Sequence, residues 1–88
     1  MGELSTLLNI GNKVEQQLNE VGIRTINQLI EIGSRQAWLR IKRIDDSACI
    51  NRLYALEGAI QGIRWHDLSE VVKEELREFF NTYKKLEK

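Results

Sequence analysis

Residues 47–61, Ser-Ala-Cys-Ile-Asn-Arg-Leu-Tyr-Ala-Leu-Glu-Gly-Ala-Ile-Gln, carry apolar side chains around most of a helical circumference. Cys49, Leu53, Leu56 and Ile60 recur at helical spacing, and Ile50 and Tyr54 flank them. A helix apolar over so wide an arc has to be covered on more than one side. In a chain of 88 residues it is therefore the central element. Asn51, Ala55, Gly58 and Gly62 form a second stripe of small side chains, along which another backbone can come close. Such an approach accounts for Gly58, which costs about 1 kcal/mol against alanine inside a helix. The pattern predicts a second helix packed on Gly58, and a Cys49 that is buried on the apolar stripe and inert.

The remaining chain reads as further short helices, with no proline and no sustained two-residue alternation. Ser5 or Thr6 is expected to cap a first helix containing Leu7 and Leu8, broken by Asn9-Ile10-Gly11-Asn12. Lys13–Val21 places Val14, Leu18 and Val21 on one face, and Gly22 follows as a helix-ending residue. Thr25 and Gln28 form a capping box for a helix carrying Ile26, Leu29 and Ile30. Gly33 ends it and Ser34 is expected to cap the next, where Trp38, Ile41 and Ile44 make an apolar stripe. Asp45-Asp46-Ser47 predicts a stop and an N-cap. Gly62 ends the central helix, Arg64-Trp65-His66-Asp67 links onward, and Asp67 with Glu70 is a capping signal. The last helix, to about Leu86, carries Val72, Leu76, Phe79, Phe80 and Tyr83 on one side, and its tail is expected to fray over 84–88. The chain is thus one all-α domain (1–88, core 4–82) of five to six short helices. An N-terminal half packs on the central helix, which also carries the C-terminal helix.

Composition narrows the function classes. No apolar run approaches the roughly 20 residues that cross a bilayer, and the start, Met-Gly-Glu-Leu-Ser-Thr, has no basic leader pattern. No membrane association is expected, and the expected compartment is the cytoplasm. One cysteine and one histidine, without ligand spacing, predict neither metal nor cofactor. No phosphate-binding loop, dinucleotide fingerprint or nucleophile elbow is present. Glu57, among apolar neighbours, is expected to pair structurally with Arg64, the Trp65 N–H or another donor. The expectation is a protein that is not an enzyme.

Net charge is zero, but it is unevenly spread. Lys13 and Arg24 face Glu3, Glu15, Glu20 and Glu31 in residues 1–33, a net of −2. Residues 34–68 carry +2. Arg35, Arg40, Lys42 and Arg43 form the one basic patch without an acid, which reads as a solvated helix face or as a nucleic-acid footprint. Beside Asn9-Ile10-Gly11, the N–H groups of Asn12, Lys13 and Val14 start a helix and can either hold a phosphate oxygen or serve structure alone.

Leu8-Asn9-Ile10-Gly11-Asn12-Lys13-Val14 resembles a helix-hairpin-helix motif, with Asn9 in place of its first glycine. Gly22-Ile23-Arg24-Thr25 and Leu29 suit the same superfamily of helical, SAM-domain-like folds. Ala37-Trp38-Leu39-Arg40, Cys49, and the run Leu53-Tyr54-Ala55-Leu56-Glu57-Gly58-Ala59-Ile60-Gln61-Gly62-Ile63-Arg64-Trp65-His66 resemble the TfoX C-terminal domain over residues 4–82. The resemblance gives Tyr54, Glu57, Gly58, Gly62, Arg64, Trp65 and His66 as a structural family signature. It implies a regulator of bacterial competence and DNA-transformation genes, here as a stand-alone C-terminal domain, since the family's N-terminal domain has no counterpart in these 88 residues. The expectation is a non-enzymatic module acting through protein partners, as monomer or homodimer. Trp38 or the Phe79–Phe80–Tyr83 edge would offer the exposed apolar surface. The alternative is weak, direct DNA binding through the Gly11 hairpin, with Gly11, Asn12 and Lys13 on phosphates.

Overall fold

The computed structural model describes residues 2–86. Among them are five α-helices: α1 (Asn12–Glu20), α2 (Ile26–Ile32), α3 (Ser34–Ile44), α4 (Ile50–Gln61) and α5 (Glu70–Leu86). Two 3₁₀ turns, Glu3–Thr6 and Trp65–Asp67, precede α1 and α5, and no strand occurs among the described residues. The all-α expectation holds. Helix α4 is central: α2, α3, α5 and the second 3₁₀ turn all pack on it, while α1 packs on α3 and the first 3₁₀ turn.

Local chemistry sets several boundaries as read from sequence. The Thr25 hydroxyl accepts from Gln28 N–H, and the Gln28 side chain accepts from Thr25 N–H, which completes the capping box of α2. Beyond α1, Ile23 N–H reaches back to the Leu18 carbonyl at 2.8 Å, satisfying a carbonyl that the helix end leaves open.

Other boundaries differ. The Ser5 and Thr6 hydroxyls donate back to the Gly2 and Glu3 carbonyls, so they belong to a 3₁₀ turn that precedes Leu7 rather than capping a helix after it. That turn buries Leu4 completely. Ser34 is the first residue of α3, and its hydroxyl is given to Glu57 instead of the helix backbone. Ile44 points outward, 49% exposed, because the stripe of α3 runs through Ala37, Trp38 and Ile41. Asp45 folds a tight turn onto Ser47, and α4 begins only at Ile50. Ser69, not Asp67, caps α5, accepting from Val72 N–H at 3.1 Å. Helix α5 continues through Leu86, and residues 87–88 of the expected frayed tail lie outside the described residues.

Trp38 is the hub of the core. It is fully buried, and its edge contacts reach Phe79, Phe80 and Tyr83 with ring centroids 6.3, 5.5 and 5.2 Å away. Its indole N–H donates to the Cys49 carbonyl at 3.0 Å, as a buried tryptophan requires. Neither Trp38 nor the Phe79–Phe80–Tyr83 edge is therefore a free apolar surface. These rings are how α5 is held to α3.

A polar tie closes the other side. Asp45 Oδ2 accepts from Gln17 Nε2 at 2.7 Å and from Arg52 Nη1 at 2.9 Å, and Arg52 also donates to Gln17 Oε1. This links α1, the end of α3 and α4. Hydrogen bonds from the Ser47 hydroxyl, Gln17, Arg52 and the Ser47 N–H stabilise the Asp45 carboxylate and hold its pKa well below the usual value of 3.8. A lowered folded-state pKa means that the stabilisation is complete above the unfolded value and is lost as pH falls below it. The Asp45→Asn variant should therefore lose stability relative to wild type at pH 7, and the gap should narrow steadily as pH falls below about 4. Urea midpoints of both proteins across that range check this; a gap independent of pH would contradict it.

Candidate functional site

All the signature residues but Glu57 meet at one joint, where the loop Gly62–Asp67 turns from α4 into α5. Gly62 takes the left-handed conformation (φ 77°) that ends α4. Ile63 N–H then folds back to the Gly58 carbonyl at 2.9 Å. Trp65 stacks on Tyr54 of α4, rings 5.9 Å apart and 17° from parallel. His66 also stacks on Trp65, with ring centroids 3.8 Å apart. Tyr54 is buried, Trp65 is half-buried and His66 is exposed.

Asn9 locks this joint to the N-terminal segment. It has φ 73°, a left-handed conformation that asparagine tolerates better than most residues. Its amide nitrogen donates to the Ile63 carbonyl at 2.9 Å, and its amide oxygen accepts from Trp65 N–H at 3.3 Å. Both backbone groups of the loop are thereby satisfied by one side chain 54 to 56 positions away. Gly58 makes the room. A Cβ there would lie 2.6 Å from Asn9 Nδ2, 2.9 Å from the Ile63 carbonyl oxygen and 3.1 Å from Trp65 Cα. Close approach at Gly58 is thus real, but the partner is a loop and the Asn9 side chain, not a second helix.

Glu57 is held from α3 and from its own helix. Its Oε1 accepts from the Ser34 hydroxyl and its Oε2 from Gln61 Nε2, each at 2.7 Å. Neither Arg64 nor the Trp65 N–H is its donor. Arg64 is exposed, in the loop segment between the two backbone groups that Asn9 grips.

The N-terminal candidates assemble differently from their sequence reading. Gly11 has extended backbone (φ −94°, ψ −176°), so the turn rests on Asn9 and not on glycine freedom. Asn12 and Lys13 are exposed in the first turn of α1. Glu15, in the same turn, is buried, and its carboxylate accepts from Ser5 N–H at 3.2 Å. Burial pushes the Glu15 pKa upward, but hydrogen bonds from Gly2 and Ser5 outweigh this, and the pKa lies below its usual value. The carboxylate is therefore ionised near the hairpin at neutral pH.

The basic patch lies at the other end of α1. Arg40 Nη1 donates to the Val21 carbonyl at 3.3 Å, just past the C-terminal turn of that helix, where a cation meets the negative dipole end. Lys42 donates to the Asp46 carbonyl. The Arg35 guanidinium lies 6.0 Å above the Phe79 ring, and Arg43 is exposed. Arg35, Arg40, Lys42 and Arg43 are thus on α3, apart from Gly11–Lys13. Cys49 corrects another expectation: it is exposed. It precedes α4 in extended conformation, so the helical register that would have buried it does not reach it. Sequence reasoning missed Asn9 as a clamp on the loop that carries Arg64. The glycine-replacing asparagine was the only local signal.

Among the described residues there is no pocket, no group of His, Cys, Asp or Glu side chains placed to hold a metal ion, and no helix long and apolar enough to cross a membrane.

The model of the TfoX C-terminal domain family matches residues 1–80. The chain belongs to this family. Protein Sxy of Escherichia coli K12 is 34% identical over 76 residues, covering 86% of this chain and 36% of that protein. The chain thus spans about a third of the length of this curated relative. An uncharacterized protein from Listeria monocytogenes, in a triclinic crystal form, is 51% identical with a TM-score of 0.90 over 92% of each chain. A tetragonal form of a protein of unknown function from the same organism is also 51% identical, with a TM-score of 0.89 over 92% of this chain and 99% of that one.

In this TfoX C-terminal domain, Gly58→Ala should cost about 1–3 kcal/mol, because the new methyl meets loop backbone that cannot yield cheaply. Gly11→Ala is the control: nothing lies within 4 Å of the position and its φ is negative. Chemical denaturation should separate the two. Equal stabilities would show that the clamp does not need the missing Cβ.

Proposed function

We propose that this domain is a non-enzymatic interaction module in the regulation of competence genes, acting through protein partners. The family is associated with competence regulation. The observation that carries the reading is where two polar side chains at and beside the signature are used. Asn9 serves the Ile63 carbonyl and Trp65 N–H, and Glu57 serves Ser34 and Gln61. These groups are occupied within the fold, which leaves the outer faces of α3 and α5 as the parts available to a partner. Deleting the gene in its own organism should lower competence-gene transcripts, measured by quantitative reverse transcription. Wild-type protein and Lys13→Glu should both restore them. Unchanged transcripts on deletion would remove the regulatory reading, and failure of Lys13→Glu alone would shift it to the hairpin.

A second reading has its own observation. The Asn9 clamp brings the loop carrying exposed Arg64 onto the helix-hairpin-helix-like turn, and Lys13 is exposed in the first turn of the α1 helix that follows. Two cations and a helix start can engage about two phosphates, for a log–log salt slope near −2 and a Kd of about 10⁻⁴ M or poorer at physiological salt. The ionised Glu15 opposes the attraction. Fluorescence anisotropy with duplex and single-stranded DNA across a salt series should give that weak, shallow dependence. Micromolar binding at about 0.15 M salt, lost in a folded Lys13→Glu variant, would place DNA binding first.

A further inference from the structure

Two helical rows on α3 and α5 remain after the joint and the hairpin are accounted for. On α3, Arg35, Leu39 and Lys42 share one flank at helical spacing, with Arg43 beside them. On α5, Val71, Glu75, Glu78 and Thr82 share a flank at the same spacing. All four of the latter are exposed, and Val71 retains 68% of its surface. The two rows adjoin. Arg35 lies over the ring of Phe79, and Phe79 is one turn beyond Glu75 and next to Glu78 on α5.

The charges on these rows are fixed but not neutralised. Lys42 is anchored on the Asp46 carbonyl and Arg35 on an aromatic face, neither of which carries a counter-charge. Among the described residues the ion pairs are Arg52–Asp45 and Lys73–Glu70. Among the described residues, Arg35, Lys42, Arg43, Glu75 and Glu78 therefore have no opposite charge within 4.0 Å. The surface is bipartite, positive along α3 and negative along α5 at Glu75 and Glu78, with Leu39 and Val71 as its apolar members and exposed Lys85 at the far end of the α5 row. Arg77, on the far flank of α5, is the one other cation between Lys73 and Glu78.

We infer that this seam is a self-complementary contact for a second copy of the chain. A two-fold axis over the seam sets the basic row of each copy on the acidic row of the other, so the contact forms twice. Zero net charge removes long-range repulsion between copies. Two rows of this size belong to the small, transient class of interfaces, so the dimer is weak and salt-sensitive. This goes beyond the partner-binding reading and stands or falls separately from it.

Sedimentation equilibrium of the full chain tests it. A monomer–dimer equilibrium with a Kd tighter than about 1 mM is expected at low salt. It should weaken as salt rises from about 0.1 M to 1 M, where the screening length shrinks from about 10 to 3 Å. Arg35→Glu/Arg43→Glu should weaken dimerisation at least about tenfold, as should Glu75→Arg/Glu78→Arg, with circular dichroism reporting that both fold. Mixing the two variants restores both contacts of the two-fold arrangement, so the mixture should dimerise where each alone does not. A monomer at every concentration overturns the proposal. So does a dimer indifferent to salt, or one that survives both charge reversals. Duplex DNA captured by a strictly monomeric protein, and lost in Arg35→Glu/Arg43→Glu, also overturns it and assigns the α3 row to phosphates. Should either variant fail to fold, the salt series on the wild type still decides.

Discussion

One asparagine side chain fixes how the two ends of this domain meet. Asn9 accepts a left-handed backbone and uses its amide to close the Ile63 carbonyl and the Trp65 N–H. Part-buried backbone groups left open would each cost about 1–3 kcal/mol, so two hydrogen bonds offset the conformational cost at Asn9. The geometry needs a backbone within van der Waals reach of α4, which is why Gly58 occupies a helix interior. With the loop pinned, Trp65 stacks on Tyr54 and α5 leaves the joint in the direction that carries Phe79, Phe80 and Tyr83 onto Trp38.

The core and the joint divide the work. Trp38 contributes apolar area and edge-to-face contacts that non-directional burial alone would not order. The joint contributes direction through hydrogen bonds. The Gln17–Asp45–Arg52 tie does the same between α1 and α4. At 18% side-chain exposure on each partner, Arg52 and Asp45 keep some solvation, so the pair avoids the large penalty of a dry ion pair.

Features set by near neighbours were legible in the sequence. The capping box of Thr25 and Gln28 needs only residues three apart, and the apolar stripes of α1 and α5 need only a helical period. What was misread depended on contacts across 50 or more positions, or on where a helix begins. Asn9 reads locally only as a replacement for a glycine, because its targets, Ile63 and Trp65, leave no trace in its own neighbourhood. Cys49 fitted the stripe of α4 by spacing, yet the Asp45–Ser47 turn delays that helix to Ile50 and leaves the thiol outside. Ser34 looked like a cap, but a carboxylate on α4 competes successfully for its hydroxyl. Trp38 looked available as a surface because nothing local shows that three rings of α5 converge on it.

Charge placement follows from the same packing. Arg40 meets the C-terminal end of α1, where the Val21 carbonyl accepts it, while the Glu15 carboxylate, in the first turn of the same helix, accepts from the Ser5 N–H of the preceding 3₁₀ turn. Helix α1 thus meets an acid near its start and a base at its end, in the sense the helix dipole favours, and both are hydrogen-bonded within the fold. Arg35 and Lys42 are anchored by a ring and a carbonyl and keep their full charge. Among the described residues the buried side-chain polar atoms are all hydrogen-bonded, while the α3 and α5 rows and Lys13 carry charges outside any ion pair. The rows and Lys13 lie on different helices, so one can change without disturbing the other.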